Sequence, residues 1–235
     1  MADDINKNTP ATVGATQEKT ARIQDKIGKI VLEVVIIVFS IMVSLWLDNW
    51  NDKRKEREEV KEFLTDLRED LKMDTATMHG EIDKLTPYVK DYIFAKNLTI
   101  KEIDSLKNIH ATVKLNFDIT PLQFNEANYQ GFKSSGKIGF IDNKNLKKRI
   151  LAYHEQVIPG LKDVENEHSA YQKALRNTFF SGVYSEKSAK ATFLDPKIKA
   201  DLNSAELFSN FMIGMCQISI QQADSLLLDI NKELK

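Results

Sequence analysis

Eighteen residues, Ile30 to Leu47, pass with a single formal charge, Glu33; Lys26 and Lys29 precede the run and Asp48 follows it. As a helix rising about 1.5 Å per residue, such a run reaches most of the way across a hydrocarbon core of about 30 Å. A helix buried in a water-soluble core seldom stays apolar on every face, so the run reads as a membrane anchor. Trp46 and Trp50 at its far end have the amphipathic rings that settle at headgroup depth, with Lys26 and Lys29 as the cationic anchors at the near end. A cleavable signal would have a shorter apolar core and a small-x-small site after it, and none follows Leu47. The next most apolar stretch, Phe208 to Ile220, is interrupted by Ser209, Asn210, Gln217 and Ser219. A single crossing is expected.

Orientation is nearly balanced by charge. Lys19, Arg22, Lys26 and Lys29 before the span face Lys53, Arg54, Lys55, Arg57 and Lys61 after it. A short cationic tail resists translocation, which favours a cytoplasmic N-terminus and an extracytoplasmic C-terminal domain. The one cysteine, Cys216, forms no intramolecular disulfide framework and fits either compartment.

The anchor carries a polar stripe. At about 100° per residue, Glu33, Ser40 and Ser44, with Asn51 just beyond, fall within roughly 40° of one another. A carboxylate in hydrocarbon is costly and faces protein or water, so Glu33 predicts a partner helix from a second copy or another membrane protein. The alternative is that Glu33 lies one turn inside the interface and snorkels to the headgroups beside Lys29.

In a chain of 235 residues, one anchor leaves enough for a globular domain with its own core. The net charge of −1 gives no pull toward phosphate backbones, so no nucleic-acid partner is expected. Nine glycines and five prolines are too few for a many-turned β architecture. Residues 1–20 are polar and without periodicity and read as a disordered, mobile tail; 21–50 read as the transmembrane anchor. In 51–86, Val60, Leu64, Leu67, Leu71, Met78, Ile82 and Leu85 recur at three, four and seven residues, one apolar stripe of a stalk helix that Thr86-Pro87 ends, kinks or restarts.

Residues 87–235 read as a helical-bundle domain packing on that stalk. Thr99 to Glu102 is a capping box. Thr120-Pro121 opens a predicted helix running to Ser135, with Ser134, Ser135 and Gly136 forming the turn that stops it. A long helix, or a pair broken at Pro159-Gly160, follows Asp142. Asn203 to Glu206 is a second capping box, opening a last helix with Leu207, Phe211, Met215, Ile218, Ala223, Leu226, Leu227 and Ile230 on its apolar face. The expected fold is all-α: a transmembrane helix continuing into a long, coiled-coil-like stalk, plus a bundle.

Motifs for chemistry are sparse. Gly131-Phe-Lys-Ser-Ser-Gly-Lys-Ile138 matches a phosphate-binding loop except at Ile138, where a magnesium-binding hydroxyl is required, and it lies at a helix end instead of between strand and helix. His79, His110, His154 and His168 show no metal-ligand spacing, although His154 with Glu155, or Glu165 with Glu167 and His168, could converge in space. No nucleophile elbow is present. No catalytic residue, cofactor or metal is therefore assigned.

Two stretches, GKIVLEVVIIVFSIMVSLWLDNWND from Gly28 and FKSSGKIGFIDNKNLKKRILAYHE from Phe132, together resemble an uncharacterised family of bacterial single-pass membrane proteins, a domain of unknown function. Gly28, Ile30, Glu33, Asn49, Trp50 and Asn51 match its anchor pattern, and Lys133, Ser134, Ser135, Gly136 and Lys137 its later turn. Lys29 stands where members often carry Glu, and His154 where a second Tyr is common. The resemblance implies a bacterial inner-membrane location and transfers no activity. The reading that results is a non-enzymatic assembly, scaffold or accessory subunit of a membrane complex, partnered by the bilayer and by a homo-oligomer or another membrane protein. The alternatives are a sensor whose bundle binds a small ligand or peptide, and an enzyme with a site scattered over several helices.

Overall fold

The computed structural model describes residues 11–117, 120–182 and 186–235; the first half of the expected tail, residues 1–10, lies outside it. Among the described residues there is no strand. The chain divides into two compact units, Met1–Glu56 and Arg57–Lys235. The first helix, α1 (Ala11–Asn97), contributes to both.

In the first unit every side chain from Lys29 to Lys55 is exposed, and none of the most apolar eighteen-residue window is buried. That separates it from the core helix of a water-soluble domain, which would hide such a window.

The second unit adds α2 (Ile100–Ser105), α3 (Ile109–Thr112), α4 (Ala127–Ser134), a 3-10 turn (Lys137–Phe140), α5 (Lys144–Ala152), α6 (Ile158–Gly182), α7 (Glu186–Leu194) and α8 (Pro196–Glu233). Three long helices build its core, each burying residues at alternating three- and four-residue steps, the spacing that keeps one seam facing its neighbours. On α1 the stripe is Leu64, Leu67, Leu71, Asp74, Met78, Glu81 and Leu85. On α6 it is Ile158, Leu161, Glu165, His168, Gln172, Leu175 and Phe179. On α8 it runs from Ile198 through Leu202, Ala205, Ser209, Met212, Cys216, Ser219 and Ala223 to Leu226 and Ile230.

Shared clusters give the directions. Leu67 and Leu71 lie in one cluster with Ile158, Leu226 and Ile230, while Tyr92 and Ala95 lie in another with Leu175, Phe179, Ile198 and Leu202. Helices α1 and α6 are thus parallel, and α8 is antiparallel to both.

A parallel pair needs a return path, and its length decides the conformation. Val113 belongs with Ala95, and Tyr129 with Leu71. Those α1 positions are about 36 Å apart along the helix, which sixteen residues cover when extended but not as a helix of about 24 Å. Accordingly, 113–117 and 120–126 form a non-helical strap, and the helix expected from Thr120 begins only at Ala127. The sequence signal at Thr120-Pro121 was local, whereas the demand for reach is tertiary.

Neither of the two prolines singled out in the sequence ends a helix, and at Pro159 it is the long helix, of the two alternatives, that forms. Helix α1 continues past Pro87 to Asn97, with Leu85 and Tyr92 buried on either side. Between α5 and α6 the chain stays helical through one π turn, Tyr153–Val157, in which the Ile158 N–H donates to the Tyr153 carbonyl five residues back. This wider turn directly precedes Pro159, which has no N–H to continue the regular pattern. Asn203 is not a cap either: α8 starts earlier, at Pro196, and is capped by Asp195, whose side chain accepts from the Lys197 amide. Asn203 instead accepts from Lys96, which also pairs with Glu206.

Candidate functional site

The notable feature of the bundle is what its stripes bury. Asp74 and Glu81 occupy the same seven-residue register as Leu67, and Glu165, His168 and Gln172 interrupt the stripe of α6. A buried polar group is costly unless bonded, and the partners found here assign two of these residues, Asp74 and Glu165, to holding the strap. Glu165 Oε1 accepts from the Leu122 amide at 2.6 Å, and Asp74 Oδ1 from the Asn125 amide at 3.0 Å. The Tyr92 hydroxyl donates to the Asn116 carbonyl at 2.6 Å and lies 2.9 Å from Gln172 Oε1. His168 Nε2 is 3.1 Å from Ser209 Oγ and 3.2 Å from Gln172 Nε2. Glu81 pairs with Lys84.

Burial pushes the Asp74 carboxyl up to about 6 against the lowering effect of its Asn125 bond, with Asp70 and Glu126 adding repulsion. It raises Glu165 likewise. The Cys216 thiol is pushed up to about 12 by burial, with Glu81 and Glu165 adding to it, which leaves it a poor nucleophile at neutral pH.

Around the π turn the polar groups are less fully satisfied. The His154 ring stacks on Tyr129 at 4.0 Å between centroids and meets Tyr153 edge-on at 5.1 Å. Neither of its nitrogens has a hydrogen-bond partner among the described residues, nor do Tyr153 Oη, Asp74 Oδ2 and Ser219 Oγ. Burial lowers His154 to about 4, so the imidazole is neutral at pH 7. Its sequence neighbour Glu155 turns the other way and takes hydrogen bonds from Lys133 and Tyr129, both at 2.6 Å. Neither His154 with Glu155 nor Glu165 with Glu167 and His168 builds a metal-ligand group, and among the described residues no three His, Cys, Asp or Glu come together to hold a metal.

The glycine-rich stretch is a helix end. Helix α4 stops at Ser134; Ser134 Oγ and Ser135 Oγ donate to the carbonyls of Gly131 and Phe132, and the Gly136 amide donates to the Lys133 carbonyl. Gly136 has φ 75, the left-handed conformation that costs a residue with a Cβ about 1–2 kcal/mol. A Cβ there meets nothing within 4 Å, so Gly136→Ala is expected to lower stability by about 1 kcal/mol through backbone strain alone, as a shift in urea midpoint. Lys137 reaches Glu59 at 3.2 Å.

In the first unit Glu33, Ser40 and Ser44 are all exposed, and Ser40 Oγ donates to the Ile36 carbonyl one turn back at 2.8 Å. Trp46 and Trp50 are exposed, as is Lys29; the side chain of Lys26 lies outside the described residues.

Fold and site together define an all-α protein with an unburied apolar N-terminal helix and a bundle whose core carries polar residues that hold an extended strap. The chain matches the family of unknown function DUF6090 over residues 33–186, more than half its length, and belongs to it. The match takes in Asp74, the strap, the π turn and Glu165, and leaves out α8. No curated protein and no solved structure matches the chain.

Proposed function

We propose that the protein is a single-pass, membrane-anchored, non-enzymatic subunit whose polar intramembrane seam assembles it with a second copy or another membrane protein. The observation that carries this reading is that every side chain from Lys29 to Lys55 is exposed. The thirteen Ile, Val, Leu and Phe side chains from Ile30 to Leu47 favour insertion by roughly 4–8 kcal/mol, against about 3 kcal/mol for one central carboxylate. Insertion wins, and the carboxylate then needs a partner. The order expected from sequence, N-terminus in the cytoplasm and bundle outside it in a bacterial inner membrane, belongs to the same reading.

Glu33→Leu in the full chain tests it. An interhelical polar contact in a membrane is worth about 1–2 kcal/mol, roughly tenfold in association. The particle extracted in mild detergent is expected to lose mass in the variant, or its second subunit. Equal masses for variant and parent would remove the seam, and a monomeric parent would remove assembly altogether.

A second reading, a sensor binding a small ligand between helices, is supported by a cavity of about 190 Å³ lined by Arg149, Ala152, Tyr153, Gln222 and Leu226, against which the Tyr153 side chain lies. Its test is a ligand-dependent rise in the melting temperature that Tyr153→Phe abolishes.

A further inference from the structure

We infer that one end of the bundle, formed by the 3-10 turn at Phe140, the start of α5 and the end of α8, is a docking surface for anionic lipid headgroups; this rests on the membrane reading of Ile30–Leu47. Three observations within the second unit, and one of chain length, converge on it.

The first is a cleft of about 420 Å³ whose wall carries the cations Arg57, Lys61 and Lys235 against the acids Asp142 and Glu233, with Phe140 among its apolar side chains. The second is an apolar wedge. Phe140 is exposed although its neighbour Ile141 is fully buried, because the short turn can bury only one of the two. Gly139 beside it adds no side chain, and its carbonyl accepts from Lys147 Nζ at 3.2 Å, which holds a cation over the turn.

The third observation is charge. Although the whole chain is close to neutral, residues 57–61, 137–148 and 232–235 hold eight Lys and Arg against four Asp and Glu. Of the acids, Glu59 is paired with Lys137 and Glu233 accepts from Asn143 at 2.7 Å. Arg57, Lys61, Lys144 and Lys148 have no ion pair among the described residues. An apolar ring flanked by unspent cations fits the boundary between headgroups and acyl chains, where each cation adds attraction to anionic lipid.

The fourth is reach. Arg57 in the cleft follows Trp50 by seven residues, which span at most about 25 Å in any conformation. With Trp50 at headgroup depth, that tether caps the distance of Arg57 from the headgroups whatever the arrangement of the two units. The effective lipid concentration there is correspondingly high.

The test uses the full chain in vesicles with one nitroxide at Phe140→Cys, or at Phe39→Cys as the membrane control; Cys216 is buried. Accessibility is read from collisions with a water-soluble nickel chelate, in phosphatidylcholine with and without phosphatidylglycerol. With the anionic lipid, the label at 140 is expected to become protected. Lys144→Glu with Lys148→Glu should reverse this, by about fivefold per lysine in the ratio of docked to free surface. A label at 140 that stays water-accessible in both vesicles while the label at 39 is protected overturns the docking surface and leaves the anchor standing. A label at 39 that is itself water-accessible overturns the anchor and this inference with it.

Discussion

Replacing His154 by Phe should turn a bundle whose stability is nearly level between pH 4 and 6.5 into one that loses about 3 kcal/mol as pH rises through that range; Asp74→Asn should do the reverse. The two parent groups are displaced in opposite directions. Asp74 is raised from 3.8 to about 6 in the folded chain, so the folded state holds its proton more tightly than the unfolded state does. Its contribution is fully present below the unfolded value and is lost as pH rises through the folded one, at about 1.4 kcal/mol per unit. His154 is lowered from 6.5 to about 4. Its contribution is present above the unfolded value and is lost as pH falls through the folded one.

Over the shared window the two slopes oppose each other and are of similar size, so neither shows in the parent. Phe at 154 keeps the ring face that lies on Tyr129 and removes two buried nitrogens that lack partners. That variant should also be more stable at pH 7 by about 1 kcal/mol. Urea midpoints of the full chain in mild detergent at several pH values across the window give the slopes. Parallel curves for parent and both variants would mean that these side chains are not held in the buried positions described here. Glu165, also raised, acts in the same sense as Asp74 in parent and variants alike, so the differences between the curves carry the prediction.

Why Asp74 escaped a reading of the sequence while Leu67 did not follows from what periodicity detects. A stripe is recognised by large apolar side chains, and Leu64, Leu67, Leu71, Met78 and Leu85 mark it on α1 without help. Asp74 and Glu81 fill the remaining positions of the same repeat and subtract from the signal. Their seven-residue spacing from Leu67 was the available clue. Helix α8 shows the consequence more sharply, because its buried stripe holds Ser209, Cys216 and Ser219 while Leu207, Phe211 and Ile218 are exposed. Choosing the bulkiest residues selected a neighbouring face as far as Ile218, while Ala223, Leu226 and Ile230 beyond it are buried as expected. Local chemistry transferred better: the Thr99–Glu102 capping box is formed as expected, with reciprocal bonds at 3.3 and 2.8 Å, and Gly136 is left-handed. The stripe of Glu33, Ser40 and Ser44 is of another kind: all three side chains are exposed, and the seam proposed for them is tested by association, not by packing within the chain.

The strap is where buried charge meets architecture, and removing its two carboxylate ties should have the largest dynamic effect in the molecule. Asp74 lies on α1 and Glu165 on α6, and each accepts an amide of the strap only three residues from the other's. Two parallel helices are thereby joined through a third segment that cannot supply a helix face of its own. A hydrogen bond to a charged acceptor contributes about 1.5–3 kcal/mol, so losing it should speed exchange of that amide roughly ten- to hundredfold. Glu165→Ala should act on Leu122 and Asp74→Ala on Asn125. Lys162, which pairs with Glu126 at 2.6 Å and sits over the Phe124 ring, ties the strap next to both, so the segment should open as one piece. Each single variant is then expected to accelerate both amides, measured by hydrogen exchange on the full chain, and the double variant to bring residues 120–126 close to unprotected rates. Acceleration confined to the amide whose own carboxylate was removed would show two independent local ties, and unchanged exchange at both would show that apolar contacts of Leu122 and Phe124 hold the strap without them. The first outcome makes Asp74 and Glu165 the reason that α1 and α6 stay in register, since a slip of either helix would carry its carboxylate away from the amide it holds.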